Sequence, residues 1–229
     1  MHDDGMSMAE RRQVTADWAA RFPRLSAWKP MWLVRRHGPL IHGLCLDDSR
    51  GCGFYIPQVF IHCLAEPAPA VALDGALPVR TRAGHPTRIT LADHGARIVE
   101  VGGRLAHQCA ALASGALSLA DLADHLSASA AMAHEAPDGR RLRMRAVFAL
   151  SAALIGDARQ AQCAIDQTRA ATEERASGMA QAAWARDLRT RLADVPGLSR
   201  CVAREVARHG LGRLSDAGLL GGEACQRLG

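Results

Sequence analysis

The sequence predicts an α+β fold: a leading helix and an N-terminal antiparallel β-meander, followed by a C-terminal α-helical bundle or short helical-repeat region. Between Trp28 and Leu91, short apolar segments alternate with turn-forming residues. After Ala92, apolar residues recur at helical spacing, and aromatic residues make up only 4% of a chain rich in alanine. We therefore expect a disordered tail at 1–7, an α+β part at 8–91 and a helical part at 92–229, an arrangement compatible with one continuous domain.

The β part contains one predicted helix and three main strands. Residues 7–21 have helical spacing, and Pro23 ends that helix because proline restricts the residue before it. Short turn-forming links favour antiparallel pairing of the strands. Pro57 is expected at an edge or a bulge, since it has no amide hydrogen to donate to a ladder. The main strands are predicted at 31–36, 40–46 and 54–64, with shorter ones at 71–73, 77–80 and 88–91.

The helical part contains one segment with a family resemblance. In residues 146–171, small side chains at Ala149 and Ala153 precede the turn Gly156-Asp157, and Ala161 follows it. This segment resembles a helical hairpin of the tetratricopeptide type, which implies two closely packed helices and a face that receives a protein partner. The resemblance covers one hairpin, without a repeat of about 34 residues. Further helices are predicted at 93–113, 119–127, 140–155, 158–175, 178–193 and 198–209.

The composition excludes several classes of protein. The net charge is +5, and all of the basic residues except Lys29 are arginines. This usage is typical of high-GC bacterial coding, although arginine also suits an anionic partner. No membrane-spanning run or signal peptide is recognised, and the seven cysteines form no CxxC pair. We expect a cytoplasmic protein with reduced cysteines, no metal and no cofactor.

The candidate catalytic residues lie in the β part. His42 and His62 are predicted on neighbouring strands and meet on one apolar face if those strands pair in that register. Two such imidazoles suit proton transfer, although buried structural histidines are the alternative interpretation. Cys52, between two glycines, is a candidate thiolate nucleophile. Asp47 and Asp48 are candidate carboxylate partners or ordinary turn residues.

The candidate anion-binding residues are arginines in two short runs. An anionic partner would offset the charge of the second run, which lies at a helix start where the dipole disfavours cations. Binding of nucleic acid is possible but not favoured, because no aromatic residues for base stacking are interleaved with these arginines. The runs comprise Arg35 and Arg36, and then Arg140, Arg141, Arg143 and Arg145.

The motifs for common chemistries are missing from the sequence: it has no P-loop, GxSxG or HExxH, and no GxGxxG after a strand. We therefore predict a non-catalytic bacterial protein-interaction protein, such as an immunity or inhibitor protein or a component of a defence or secretion system. The alternatives are a small hydrolase or nuclease that uses His42 and His62 with Cys52 or Asp47 and Asp48, and a nucleic-acid-binding protein that uses 140–145.

Overall fold

The computed structural model describes residues 5–48, 53–73, 75–132, 138–173 and 178–228, with side chains omitted at 138–140, 168–173 and 178–182. The predicted α+β architecture is confirmed, with a leading helix, an antiparallel meander and a helical C-terminal region. The helices are α1 (Met8–Arg21), α2 (His94–Gln108), α3 (Ala110–Ser114), α4 (Leu119–Met132), α5 (Asp138–Leu154), α6 (Ala158–Glu173), α7 (Gly178–Ala193) and α8 (Val195–Arg208). The strands are β1 (Ser26–Lys29), β2 (Trp32–His37), β3 (Leu40–Asp47), β4 (Phe54–Cys63), β5 (Leu77–Pro78) and β6 (Ile89–Thr90).

The strands form one antiparallel sheet in the order β1-β2-β3-β4-β5, and β6 pairs with the start of β4. The edge strand β1 was not predicted, because it is only four residues long and a proline follows it. The segment 71–73, predicted as a strand, is not one. The other two short predictions shrink to the two-residue strands β5 and β6.

Pro57 lies inside a paired strand rather than at an outer edge. Its carbonyl accepts a hydrogen bond from the amide of Val79, on the β5 side of β4. The nitrogen and carbonyl of a residue in an antiparallel strand point to the same side. The ring nitrogen therefore faces the gap between β6, which pairs with Tyr55, and β5, which pairs with Gln58. The missing donor costs little, because the carbonyl of Val79 accepts a hydrogen bond from the amide of Thr87 at 2.7 Å instead.

Both faces of the sheet are covered by helices or turns. One face carries Leu33, Leu44 and Val59, which pack in a cluster with α1 and α2. The end of the same face near Leu40 packs against α4 and α5. The opposite face carries residues such as Phe60, which pack against the turn 211–214 and one side of α8. A sheet buried on both faces explains why β3 and β4 are almost entirely buried.

Segments near both ends of the described part of the chain contact this core. The predicted disordered tail is described only from residue 5 onward. There Met6 is buried, and Ser7 forms a reciprocal capping box with Glu10 at the start of α1. Near the other end, Asp216 forms an ion pair with Arg36 at 2.5 Å and accepts a hydrogen bond from the amide of Gly38 at 2.7 Å. The segment around Asp216 therefore ties the β2–β3 turn to the helical part.

The helix predicted over 93–113 is divided in two. Cys109 leaves helical geometry, with φ of −137° and ψ of 86°, between α2 and α3. Gly102 and Gly103 are not the break and lie inside α2. The side chain of Arg21 packs on Gly102, at 3.0 Å from where a methyl group would lie. The sequence has no proline or glycine at the break to indicate it.

The predicted hairpin in 146–171 forms from α5 and α6, which pack against each other. Gly156 turns the chain with φ of +85°, which glycine adopts without steric cost. Asp157 caps α6 by accepting a hydrogen bond from the amide of Gln160 at 3.1 Å. Ala149 and Ala161 are buried where the two helices meet. Two of the small residues on which the resemblance depends are therefore buried in the cluster to which both helices contribute.

None of the helices in the described part of the chain is both long and apolar enough to cross a membrane.

A chain of hydrogen bonds runs through the core between α1, β4 and α2. The indole Nε1 of Trp18 donates to the hydroxyl of Tyr55 at 2.9 Å, and that hydroxyl lies 2.7 Å from Nδ1 of His94. Nε2 of His94 lies 3.0 Å from the carboxylate of Asp17. Trp18 and Tyr55 are fully buried, so their polar atoms have no access to water. Burial raises the pKa of Tyr55, which therefore stays protonated and donates to His94.

We expect Tyr55→Phe to lower the free energy of unfolding by roughly 1–3 kcal/mol, because it leaves the buried Trp18 N–H without an acceptor. Urea denaturation followed by circular dichroism measures the change. Ser199→Ala is the control, since it removes a hydroxyl that donates on an exposed helix face. Equal losses in the two variants would contradict the assigned network.

A second prediction concerns Gly43, where β3 passes closely over β2. A methyl group at this position would lie 2.1 Å from the carbonyl oxygen of Leu33. Because Gly43→Ala must push the two strands apart, we expect it to lower the free energy of unfolding by roughly 1–3 kcal/mol. Gly95→Ala is the matched control, because nothing lies within 4 Å of its added methyl group. If Gly43→Ala and Gly95→Ala are equally stable in urea, β3 does not approach β2 this closely.

Candidate functional site

The two candidate histidines of the β part lie on opposite faces of the sheet, so the prediction that they meet is wrong. In the β3–β4 register, His42 pairs with Ile61, and His62 pairs with Ile41. Residues paired across a ladder share a face, and neighbours along a strand alternate. His42 therefore faces the α4 side, whereas His62 faces the α8 side.

His42 is buried and lies against the partly exposed Cys109. Its Nε2 is 3.5 Å from the Cys109 sulfur, and its ring centroid is 6.0 Å from that of His37. Burial, followed by the nearby His125 and His37, holds the pKa of His42 well below its usual value, while burial raises the pKa of the Cys109 thiol. Both groups are neutral at pH 7. This pair is not a thiolate–imidazolium nucleophile.

The acidic candidates are not near either histidine. Asp47 lies at the far end of β3, about 17 Å along the strand from His42 at about 3.3 Å per residue. Its carboxylate accepts a hydrogen bond from the Gln58 amide at 2.9 Å. Asp48 forms an ion pair with Arg11 at 2.7 Å. Cys52 lies outside the described residues, so the structure does not place it.

The two arginine runs separate into different environments. Arg35 donates to the carbonyl of Arg24 at 2.9 Å, and Arg36 pairs with Asp216, so both hold the fold together. The side chain of Arg140 lies outside the described ones, and Arg141 is exposed. Arg145 is partly buried near Cys225, whereas Arg143 lines a cleft on the other side of α5. The run 140–145 is therefore not one basic surface.

The cleft that contains Arg143 has a volume of about 1070 Å³. Its floor is the end of β4, and its walls are the segment 65–72, α5, the end of α7 and the first turns of α8. The walls are largely apolar, with prolines and small residues on one side and Met144, Val147 and Leu198 on the other. A space of this size exceeds the usual range of about 300–1,000 Å³ for small-molecule sites.

Four arginines line this cleft against two carboxylates, which leaves a formal excess of two positive charges. Arg191 is already engaged, because it donates to the carbonyl of Ala65 at 2.9 Å and lies 3.8 Å from Glu66. Arg200 lies 3.8 Å from Asp194 in an exposed pair, and such a pair contributes little. Arg204 forms no ion pair with any residue that the structure describes.

The segment 65–72 is held in place by side chains from three elements. The amide of Ala72 donates to Nδ1 of His62 at 3.1 Å, and the amide of Ala68 donates to the buried carboxylate of Glu205 at 3.4 Å. Arg208 donates to the carbonyl of Ala68 at 3.3 Å. Together with Arg191, these contacts fix an irregular, proline-rich wall before any ligand arrives. A preformed wall reduces the entropy that binding must overcome.

The cleft is also lined by the thiols of Cys63 and Cys201 and by the imidazole of His62. Burial raises the pKa of the Cys63 thiol to about 12. Cys201 directs its thiol at the carbonyls of Leu64 and Ala65. Across the described part of the chain, no three His, Cys, Asp or Glu side chains gather into a set that could hold a metal ion.

Of the cleft arginines, the sequence prediction found Arg143 and missed Arg191, Arg200 and Arg204. A signal was available for two of them. Arg200 and Arg204 lie four residues apart in α8, with Arg208 four further on, and this spacing places all three on one side of a helix. Nothing in the sequence indicates that this side of α8 would adjoin α5.

Comparisons with known proteins give no relative: no family model, no curated protein and no solved structure matches this chain.

The buried histidines predict a pH-dependent stability. Burial lowers the pKa of His125 to about 4, from about 6.5 in the unfolded chain. Below pH about 6.5 the unfolded chain therefore binds more protons than the folded protein, so the free energy of unfolding falls as the pH decreases toward 4. The lowered pKa of His125 alone corresponds to a loss of about 3 kcal/mol in the free energy of unfolding over this pH range. The lowered pKa of His42 acts in the same direction.

His125→Gln tests this directly, because an amide can still donate to the carbonyl of Gly75, which His125 Nε2 contacts at 2.8 Å. We expect a shallower dependence of stability on pH between about 6.5 and 4 in urea titrations. His107→Gln, at an exposed position, should retain the wild-type profile. Identical slopes in all three proteins would contradict the burial of His125.

Proposed function

We propose that the protein is a non-catalytic binding protein whose cleft receives an acidic segment of a protein partner. The observation that carries this proposal is the set of four arginines around an apolar cleft of about 1070 Å³. A narrower assignment is to a bacterial immunity or inhibitor protein, or to a component of a defence or secretion system in the cytoplasm. We propose it on the composition and the hairpin resemblance alone.

The charges favour an anionic ligand with carboxylates. Arg200 and Arg204 lie one helical turn apart on α8, and like charges at this spacing repel. A carboxylate between them would relieve that repulsion and accept the paired N–H donors of a guanidinium. Arg143 faces the same cleft from α5, so acidic groups at two positions of one ligand would find cations on both sides.

The shape and lining favour a peptide over a nucleotide strand. Single-stranded nucleic acid is usually bound by aromatic side chains that stack on the bases. The described lining includes no phenylalanine, tyrosine or tryptophan. Instead, the walls offer methyl, proline and methionine surfaces, which suit aliphatic side chains. The volume of the cleft, about 1070 Å³, is large enough for a short extended segment.

Fluorescence anisotropy with a short labelled peptide tests the proposal. The probe alternates Glu and Leu, and its counterpart alternates Lys and Leu. We expect binding of the acidic peptide only, weakened by salt. We also expect a loss of at least about tenfold in affinity, or about 1.4 kcal/mol, in the double variant Arg200→Glu/Arg204→Glu. Arg12→Glu/Arg97→Glu is the control, since neither residue lines the cleft.

Equal affinity for the acidic and basic peptides, or an unchanged affinity in the cleft variant with wild-type circular dichroism, would overturn the proposal. A single-stranded oligonucleotide serves as competitor. If it displaces the acidic peptide at lower concentration than an unlabelled copy of that peptide does, the nucleic-acid alternative replaces the peptide one.

A further inference from the structure

Two cysteines, Cys163 on α6 and Cys225 in the short turn Cys225–Leu228, are neighbours where that turn packs on α6. The side-chain oxygen of Gln160 accepts hydrogen bonds from the amides of Ala224 and Cys225, at 3.0 and 2.7 Å. The side-chain amide of Gln167 donates to the carbonyl of Cys225 at 3.0 Å. Cys163 lies between the two glutamines in sequence, three residues after one and four before the other, so it occupies the same face of α6. The backbone of Cys225 is therefore clamped opposite Cys163.

The two thiols differ in their access to solvent. Cys225 is 1% exposed, whereas Cys163 is partly exposed, and neither is in a disulfide. Burial, followed by the neighbouring Cys163 thiol, raises the pKa of Cys225. Cys225 therefore stays protonated near neutrality, and an oxidant from solvent reaches Cys163 first. The environments of other cysteines differ: Cys201 faces backbone carbonyls, and Cys109 faces His42.

We propose that Cys163 and Cys225 form a modification site at which a hydroperoxide oxidises two thiols to one intrachain disulfide. The proposal is independent of the cleft and its ligand. It uses two cysteines that come from distant parts of the sequence and are held face to face by Gln160 and Gln167. Disulfides of this kind, formed in a reducing compartment, are usually transient and redox-sensing.

The reaction takes place in two balanced steps. The Cys163 thiolate attacks one peroxide oxygen, the O–O bond breaks, and hydroxide or alkoxide leaves, which gives a sulfenic acid on Cys163. The Cys225 sulfur then attacks the Cys163 sulfur, the S–O bond breaks, and the Cys225 proton leaves with the departing hydroxide as water. The two sulfurs together lose two electrons, which reduce the peroxide.

The crosslink would enclose the part of the chain that forms the cleft wall. Both α7 and α8 lie between Cys163 and Cys225 in sequence, and they carry Arg191, Arg200 and Arg204. A disulfide around this segment limits the freedom of the unfolded chain. The oxidised protein should therefore unfold at a higher temperature than the reduced one.

Peptide mass spectrometry after hydrogen peroxide treatment of the full chain tests the site. Tryptic cleavage places the two cysteines on separate peptides, 160–169 and 214–227, each with a single cysteine. We expect these two peptides to appear linked, lighter by two hydrogens than their sum, and to separate with dithiothreitol. We also expect a rise in Tm on oxidation that is absent from Cys163→Ser and present in Cys109→Ser, the variant of the other partly exposed cysteine described.

The proposal is overturned if Cys163 accumulates as sulfenic or sulfinic acid without the linked peptide, or if it pairs with a different cysteine. It is also overturned if the Tm rise persists in Cys163→Ser. Because the linked peptide is detected in the wild-type chain, a folding defect in either serine variant does not affect that result. Failure of acidic-peptide binding would leave this result unchanged, so the two proposals fail separately.

Discussion

The register between β3 and β4 is the constraint on which the rest of the structure depends. These strands pair over their whole length from Leu40 with Cys63 to Asp47 with Ile56, and almost every residue in them is buried. Because neighbouring side chains alternate between faces, a shift of one residue would send each set of side chains into the other layer. The register therefore decides that Tyr55 meets α1 and α2, and that His62 meets the wall of the cleft.

The sequence predicted the elements and their antiparallel order well and the register poorly, for a physical reason. Amphipathic periodicity, caps and turns are local, so α1, α5, α6 and the main strands lie close to their predicted ranges. Register is not local. The prediction that His42 and His62 meet required even-numbered residues of β3 to share a face with even-numbered residues of β4. The observed register has the opposite parity, and the turn-forming composition of the link between the strands does not reveal which parity it will produce.

The candidate site shows the same limitation at a longer range. Arg143 was predicted as part of one basic run, but a helix separates neighbours by about 100°, and the run divides between the cleft and other surroundings. Arg200 and Arg204 have the right spacing for a basic stripe, yet the stripe becomes a cleft wall only because the segment 65–72 is pinned to α8 through Glu205 and Arg208. These contacts join residues more than a hundred positions apart, and no local pattern encodes them.

The distribution of titratable groups between core and cleft bears on the kind of function such a fold supports. In the core, burial keeps the imidazoles of His42 and His125 and the thiol of Cys63 uncharged, because the hydration that a charged form would lose outweighs the contacts that it would gain. General acid–base and nucleophilic chemistry requires the reverse, a group whose charged and neutral forms are close in free energy near neutral pH. The excess charge of the cleft comes instead from arginines, which remain protonated and can attract anions but not exchange protons. The proposed recognition of an anionic segment needs cations that a ligand can reach. The arginines of the cleft lie in such a position, and the uncharged core beneath them holds them in place.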